Sequence, residues 1–176
     1  MKILVFGAGV LGCNLAGNLF RAGRDVTLLA RGSWAREIQQ KGLRIKDTFS
    51  PRVSVSPIPV TTQLKPEDRY DLIFVVLRYP QLDAILDILR ASAAGTIVFV
   101  GNNVRARALA EALPGKTVLF AFASSAGHRE EDRVASIDLK KITIGPLSGG
   151  PSQEALIGRI LSGTKYRVTY EPRMED

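Results

Sequence analysis

The sequence predicts an α/β protein in which a mostly parallel, doubly wound sheet lies between two layers of helices, with some antiparallel edge strands. Two observations carry this prediction. Segments of strand character alternate with segments of helical periodicity along most of the 176 residues. Residues 71–77 (DLIFVVL) form an almost continuous apolar run, as expected for a strand that is buried on both faces of a parallel sheet.

The clearest candidates are five strands and five helices. Leu11, Leu15 and Leu19 recur every four residues and give the first helix an apolar stripe, and Gly23 is its expected C-terminal cap. Pro80 suits the first turn of the third helix. The strands are expected at residues 2–6, 26–29, 71–77, 96–100 and 117–122. The helices are expected at residues 10–22, 34–41, 80–91, 105–112 and 153–161.

Three regions extend this alternation. Residues 43–64 contain three prolines among short β-branched runs, which predicts short antiparallel or edge strands. Residues 133–138 and 141–144 flank Leu139 and Lys140, and we interpret them as the two arms of a hairpin. Residues 166–170 are expected to form a final strand.

The most informative motif is GAGVLG at residues 7–12, which follows the first strand and opens the first helix. Its GxGxxG spacing, with a second strand at the expected distance, predicts a Rossmann-like fold that binds a dinucleotide. Gly7 would turn the chain out of the strand, Gly9 would let a pyrophosphate approach the backbone, and Gly12 would let the helix pack closely. The alternative is that the glycines serve the backbone only. The residues expected to contact the cofactor are Gly7, Ala8, Gly9, Val10, Leu11 and Gly12.

The end of the second strand selects the form of the dinucleotide. An acidic residue there would bond the free ribose 2′-hydroxyl of NAD, whereas an arginine would pair with the 2′-phosphate of NADP. This chain has Ala30, Arg31 and Gly32, and Arg31 follows Gly12 by 19 residues, close to the usual spacing of roughly 20. The sequence therefore predicts NADP(H), with a solvated loop arginine as the alternative. Trp34 either covers the adenine or packs its helix onto the sheet.

Ligands of open α/β sheets bind beyond the carboxyl ends of the strands, so the loops after three further strands are candidates. Arg78 would hold a phosphate and Gln81 would add a hydrogen bond, unless both are merely exposed. Asn102 and Asn103 would bond a nicotinamide ribose or a substrate carbonyl, or form a turn. Small residues at 124–127 would let a cofactor approach. His128 is a weaker candidate proton donor, because the charged residues beside it favour a solvated loop.

Composition limits the remaining function classes. The net charge of +7 suits an anionic ligand, but the basic residues are scattered without a Lys/Arg run, which argues against a nucleic-acid partner. No apolar run approaches the roughly 20 residues of a membrane span, and the N-terminus lacks a signal peptide pattern. One cysteine and one histidine argue against disulfides and a metal site and suit the cytoplasm. Cys13 is either a dipole-activated thiol or a small buried helix residue.

Five segments carry a resemblance to one family, and together they span nearly the whole chain. In order they resemble the N-terminal domain of the ketopantoate reductases (2-dehydropantoate 2-reductases). The resemblance implies that NADPH reduces a 2-keto acid, 2-dehydropantoate, to pantoate in pantothenate biosynthesis. The segments are MKILVFGAGVLGC at residues 1–13, AGRDVTLLAR at 22–31, VLRYPQ at 76–81, VGN at 100–102 and ITIGP at 142–146.

The resemblance also implies roles for single residues. Residues 7–12 match the phosphate loop and Arg31 matches the arginine that binds the 2′-phosphate. Arg78 stands where the family usually has a cofactor-contacting lysine, Asn102 matches an asparagine near nicotinamide and substrate, and Gly127 matches a small residue near the cofactor. Asn103 departs from the glycine common at its position. No residue matches the catalytic lysine, which the family carries on a second, all-helical domain.

We therefore expect residues 1–171 to form an NADP-binding domain and residues 172–176 to begin a linker to a C-terminal helical domain that this chain lacks. Such a chain would bind NADPH, meet its 2-keto acid only through the missing domain, and turn it over poorly. An exposed interdomain face would favour a homodimer. One alternative is a non-catalytic NADP(H)-sensing or scaffold module that acts through a partner. Another is the cofactor domain of a different NADP-dependent enzyme, such as an opine or 6-phosphogluconate-type dehydrogenase.

Overall fold

The computed structural model describes residues 1–102, 105–148 and 150–174, and within these ranges the strands form one sheet between helices. Two 3-10 turns, Tyr79–Gln81 and Asp83–Ile85, precede the third helix. The strands are β1 (Lys2–Phe6), β2 (Asp25–Leu29), β3 (Leu43–Asp47), β4 (Val53–Ser56), β5 (Val60–Thr61), β6 (Leu72–Val75), β7 (Thr96–Val100), β8 (Thr117–Arg129), β9 (Val134–Gly145) and β10 (Arg167–Tyr170). The helices are α1 (Val10–Arg21), α2 (Gly32–Lys41), α3 (Leu86–Ala91), α4 (Ala106–Glu111) and α5 (Glu154–Leu161).

The strand order β4-β3-β9-β8-β7-β6-β1-β2-β5 confirms the mostly parallel, doubly wound sheet. Strands β5, β2, β1, β6, β7 and β8 are neighbours in this spatial order, and all of their pairings are parallel. Between β2 and β5 the chain crosses to the opposite edge, where it forms β3 and β4. It then returns to β5 beside β2 before it forms β6 on the other side of β1. The order therefore reverses between β1 and β6, which is where open α/β sheets bind ligands. Antiparallel pairing is not confined to the edge, because β8 and β9 also run antiparallel inside the sheet.

The core lies on both faces of the sheet, as three-layer packing requires. Val5 of β1 packs in the same cluster as Leu15 of α1, and this cluster also holds the buried side chains of α2 and α5. Leu4 faces the other way and shares a cluster with Leu89 of α3 and with the buried side of α4. A strand buried on both faces cannot slip in register without exposing apolar groups. The carboxyl end of β1 is thereby fixed in position under the glycine turn.

The predicted boundaries agree with the structure where patterns are local. Strands 2–6 and 96–100 are confirmed to the residue, and α1 ends one residue earlier than predicted. Residues 43–64 form the antiparallel pair β3–β4 and the short edge strand β5, as expected. The strand predicted at 71–77 ends at Val75, so Arg78 follows a short loop instead of the strand itself. The helix predicted at 80–91 becomes regular only at Leu86.

The hairpin predicted within residues 133–144 is wrong, because β9 continues through this segment and pairs with β8. The register of the pair shifts between Ala123 and Ser125, and Lys140 has a positive φ of 55°. The backbone N–H of Lys140 donates to the carboxylate of Asp138 at 3.0 Å. An aspartate that bonds the backbone two residues later is typical of a turn, but here it belongs to a β-bulge. The sequence pattern of the two structures is the same. The real hairpin joins β8 to β9, and β8 consequently runs through residues 124–128, which the sequence suggests to be a loop.

The last described residues stay attached to the sheet. The N–H of Glu171 donates to the carbonyl oxygen of Ile144 at 3.0 Å, and that of Met174 donates to Pro146 at 2.9 Å. Of the segment expected to begin a linker, residues 172–174 are therefore held beside β9, while residues 175 and 176 lie outside the described part of the chain. Within the described ranges, no helix combines the length and apolar character needed to cross a bilayer.

Candidate functional site

The three glycines of the motif at residues 7–12 meet different surroundings. Gly7 has a φ of 123°, and a Cβ there would collide with the carbonyl oxygen of Val76. A Cβ on Gly12 would collide with the carbonyl oxygen of Gly7, so α1 packs directly against the turn that precedes it. A Cβ on Gly9 would meet nothing within 4 Å. Gly7 and Gly12 are therefore explained by the fold, whereas Gly9 leaves open space next to the backbone.

The carbonyl oxygen of Ala8 accepts two side-chain hydrogen bonds. The indole Nε1 of Trp34 donates at 3.1 Å and the thiol of Cys13 donates at 3.4 Å. Trp34 is only 5% exposed, so it packs α2 against the sheet and holds the glycine turn instead of offering its face to an adenine. Burial raises the pKa of the Cys13 thiol to about 12, so the dipole-activated thiol considered from the sequence is wrong.

A cleft of ≈ 310 Å³ opens beyond the carboxyl ends of β1, β2 and β6. It is lined by residues 6–9, 29–31, Trp34, residues 76–78, Gln81 and Arg129, and it is named the arginine cleft. Three guanidinium groups, those of Arg31, Arg78 and Arg129, belong to this lining, and no aspartate or glutamate of the described chain does. Such a cleft attracts anionic ligands.

Arg31 and Arg78 reach the arginine cleft from different elements. Arg31 is the N-terminal cap residue of α2, in extended conformation, so its side chain stands at the positive end of that helix. Arg78 follows β6 and precedes a 3-10 turn. Its backbone N–H donates to the side-chain oxygen of Gln81 at 3.1 Å. Gln81 therefore stabilises the loop that carries Arg78, in addition to lining the cleft.

Arg129 is the cleft residue that sequence analysis missed. It is the last residue of β8, and its guanidinium carbon lies 5.4 Å from the centre of the Trp34 ring, a cation–π distance. From the sequence, this strand is predicted to end at residue 122, and the charged residues 129–132 are predicted to form a solvated loop. Only the pairing of β8 with β9 carries the strand far enough to bring Arg129 over α2.

A second cleft, of ≈ 700 Å³, adjoins the first. It is named the loop cleft and is lined by residues 9–12, 76–79, 100–102 and 125–127.

Gly127 has a φ of 153°, and a Cβ there would collide with the carbonyl oxygen of Ala135, so strand pairing alone requires this glycine. The hydroxyl of Ser125 is buried without a hydrogen-bond partner. His128 lines neither cleft and its Nε2 lies 3.5 Å from a carboxylate oxygen of Glu130.

The two clefts share Gly9 and residues 76–78 and thus form one groove across the ends of the parallel strands. Asn103 lies outside the described residues. The lining of the loop cleft includes no lysine, histidine, aspartate or glutamate among the residues that the structure describes. Of the residues expected to contact the cofactor, Gly7, Ala8, Gly9, Arg31, Arg78 and Gln81 line the arginine cleft. Gly9 and Arg78 also line the loop cleft, together with Val10, Leu11, Gly12, Asn102 and Gly127.

The charge and the polar groups of this groove suit a long anionic ligand. The open space at Gly9 lies at the N-terminus of α1, where free backbone N–H groups can bind a pyrophosphate. The three arginines supply positive charge at one end of the groove. The other end offers small side chains and the amide of Asn102. The arrangement can therefore bind and orient a long anionic cofactor.

Comparisons with known proteins point to one family. Residues 3–149 match the model of the family described as ketopantoate reductase PanE/ApbA. The 2-dehydropantoate 2-reductase of Pyrococcus abyssi (strain GE5 / Orsay) is 30% identical over 105 residues. That match covers 59% of this chain and 34% of the relative, so it spans about a third of the relative's length.

Solved structures agree in fold. The 2-dehydropantoate 2-reductase from Geobacter metallireducens GS-15 superposes with a TM-score of 0.83 at 19% identity, covering 97% of this chain and 58% of that one. The ternary structure of D-mandelate dehydrogenase with NADH and anilino(oxo)acetate gives a TM-score of 0.82 at 19% identity. It covers 97% of this chain and 57% of that one. At these identities the likeness concerns the fold alone.

Proposed function

Since the chain belongs to the ketopantoate reductase PanE/ApbA family, we propose that it is the NADPH-binding domain of a 2-keto acid reductase. The complete enzyme would convert 2-dehydropantoate to pantoate, and the bound cofactor would supply the hydride. Residues 1–171 would form the cofactor domain, and residues 172–176 would lead towards a helical domain. The chain spans less than two thirds of the relatives that it matches, so the substrate half of the reaction belongs to this proposal.

The observation that carries the choice of NADP(H) is the arginine cleft. A 2′-phosphate adds up to two negative charges to the adenosine ribose, and the cleft offers three guanidinium groups with no carboxylate in its described lining. Arg31 stands at the end of β2, where an acidic residue would instead bond the free 2′-hydroxyl of NAD. Its position as the cap of α2 also exposes a bound phosphate to the positive end of that helix.

The remaining residues would bind successive parts of the cofactor. The pyrophosphate would lie over Gly9 and the N-terminus of α1, with Arg78 across the groove. The side chains of Trp34 and Cys13, which donate to the carbonyl oxygen of Ala8, would orient the turn. Asn102 and Gly127 would lie near the nicotinamide in the loop cleft, where small side chains leave room for the ring and for a substrate.

Reduction of a keto group also needs a proton donor that stabilises the developing alkoxide. The described lining of the loop cleft offers no lysine, histidine or carboxyl group for this purpose. We therefore expect the 176-residue chain to bind and orient NADPH but to reduce 2-keto acids very slowly. The proton donor would come from another part of the complete enzyme.

The direct test is a binding titration of NADPH and of NADH by calorimetry. Wild type should prefer NADPH, and Arg31→Ala should lose roughly tenfold or more in NADPH affinity, because a charge-assisted contact is lost, with little change for NADH. Arg36→Ala is a matched control, since it removes the same charge from an exposed position of the same helix. Equal affinities of wild type for the two cofactors would refute the assignment to NADP(H).

A second candidate function is an NADP(H)-sensing or scaffold module that acts through a partner. The exposed apolar side chains of Phe122, Ile137 and Leu139 on β8 and β9 favour a surface that something else covers. A further domain of the same enzyme would cover it equally well. The two functions differ in their complete proteins, because only the reductase oxidises NADPH when a 2-keto acid is added.

A further inference from the structure

Arg129 enters the arginine cleft from a rigid element. It is paired with Val134 in the antiparallel ladder between β8 and β9, directly before the hairpin turn. Its guanidinium carbon lies 5.4 Å from the centre of the Trp34 ring, and Trp34 is itself fixed by its hydrogen bond to Ala8. A guanidinium stacked on a buried indole is held in place before any ligand arrives.

This position places Arg129 in the lining of the same cleft as Arg31. Arg31 caps α2 and Trp34 lies in the first turn of the same helix, so the group that stacks on Trp34 stands over the helix N-terminus. Both arginines line the same cleft. They belong to separate elements, one at the start of α2 and one at the end of β8.

The charge on Arg129 is available to a ligand. Two acidic residues of the adjacent turn are engaged by other cations: Glu130 pairs with Arg133 at 2.6 Å and Asp132 pairs with Arg44 at 2.6 Å. No carboxylate of the described chain lines the arginine cleft. Arg133 of the turn and Arg44 of β3 thus neutralise these two acids, and the third acid of the turn, Glu131, is exposed. Arg129 itself belongs to the lining of the cleft.

We propose that Arg129 binds the 2′-phosphate of the cofactor together with Arg31, so that two guanidinium groups from separate elements determine the preference for NADP(H). This proposal rests on the proposed function, because it assumes that the cleft takes the adenosine end of the dinucleotide. A dianionic phosphate held between two guanidinium groups is bound by both, and removal of either one leaves part of the preference.

The test uses two cofactor fragments, adenosine 2′,5′-bisphosphate (2′,5′-ADP) and 5′-AMP, which differ only in the 2′-phosphate. Arg129→Met removes the charge while leaving an apolar chain on the Trp34 ring. Binding of 2′,5′-ADP should weaken by roughly tenfold to a hundredfold and binding of 5′-AMP by less than about threefold. Arg167→Ala, at an exposed position on β10, should leave both affinities unchanged. Arg31→Ala combined with Arg129→Met should abolish the preference for 2′,5′-ADP.

The outcomes separate this proposal from the one on which it rests. If wild type binds the two fragments equally, the assignment to NADP(H) fails. If wild type prefers 2′,5′-ADP and Arg129→Met keeps that preference, the role of Arg129 fails. An equal loss for both fragments would place Arg129 on the adenosine or the 5′-phosphate and would also overturn the proposal. Should Arg129→Met fold poorly, judged by its thermal midpoint, Arg129→Lys tests the same preference with the charge retained and the planar fork removed.

Discussion

The indole N–H of Trp34 donates a hydrogen bond of 3.1 Å to the carbonyl oxygen of Ala8. Because the peptide bond is planar and trans, the N–H of Gly9 points in the direction opposite to that oxygen. One side chain of α2 therefore sets the orientation of the peptide that lies in both clefts. Arg31 is the N-terminal cap residue of α2, so the glycine turn and Arg31 are positioned by one element.

Trp34→Phe keeps an aromatic ring in the core and removes this donor. We expect the free energy of unfolding to fall by about 1 kcal/mol, since the carbonyl of Ala8 keeps only the weaker thiol donor. NADPH binding should weaken as well, because the Gly9 peptide is less well fixed. Denaturant unfolding and calorimetry measure the two effects. Unchanged stability together with unchanged affinity would show that the bond has no influence on the site.

Gly9→Ala and Gly12→Ala form a matched pair with opposite consequences. At Gly12 a Cβ collides with the carbonyl oxygen of Gly7, so α1 must shift, which should cost about 1–3 kcal/mol of stability. At Gly9 a Cβ meets no protein atom within 4 Å, so unfolding should change little. The Gly9 variant should instead lose NADPH affinity by at least roughly tenfold, because its methyl group fills the space at the turn. Thermal unfolding and NADPH titration of both variants decide the matter. Loss of stability in Gly9→Ala would contradict this division of roles.

The thiol of Cys13 should resist modification in the folded chain. Burial raises its pKa to about 12 from 9.0, so the thiolate is scarce at neutral pH and the sulfur is also shielded. Iodoacetamide should react slowly in buffer and rapidly in denaturant, with the labelling followed by mass spectrometry. Fast labelling of the native chain would mean that the helix opens often.

The same shift makes a prediction about pH. A folded-state pKa above the unfolded value stabilises the fold fully below pH 9 and progressively less as the pH rises towards 12. The loss approaches about 1.4 kcal/mol per pH unit in this window. Cys13→Ala removes this contribution, so its stability should fall less steeply than that of wild type above pH 9. Parallel pH profiles for the two proteins would contradict the buried-thiol assignment.

Arg78 lines both clefts, and its charge and its planar shape can be tested separately. Arg78→Lys should keep most of the NADPH affinity, because the positive charge stays in the groove. Arg78→Ala should lose roughly tenfold, and the loss should shrink at high salt. Titrations at low and high ionic strength provide the comparison. Equal binding by all three proteins would remove Arg78 from the cofactor site.

Local signals in the sequence predicted the centre of the molecule. The strand before Gly7, the helix after it and the position of Arg31 depend on residues that are neighbours in sequence, and the structure places them as expected. Long-range pairing decided the rest. The hydrogen bond between Asp138 and Lys140 is of a kind common in turns. Only the pairing of β8 with β9 shows that these residues form a bulge within a strand instead of a turn. Arg129 was missed for the same reason, because its place in the cleft depends on that ladder.

The bulge at Lys140 gives β9 two different neighbours on one side. The part of β9 before it pairs with β3 at residues 134–136, and the part after it pairs with β10 at residues 141–144. A straight strand would present a single continuous row of hydrogen-bonding groups to one partner. The bulge divides that row into two parts. β3 and β10, which are far apart in sequence, can therefore both pair with the same side of β9. The positive φ of Lys140 thus marks the point on β9 where its pairing with β3 gives way to its pairing with β10.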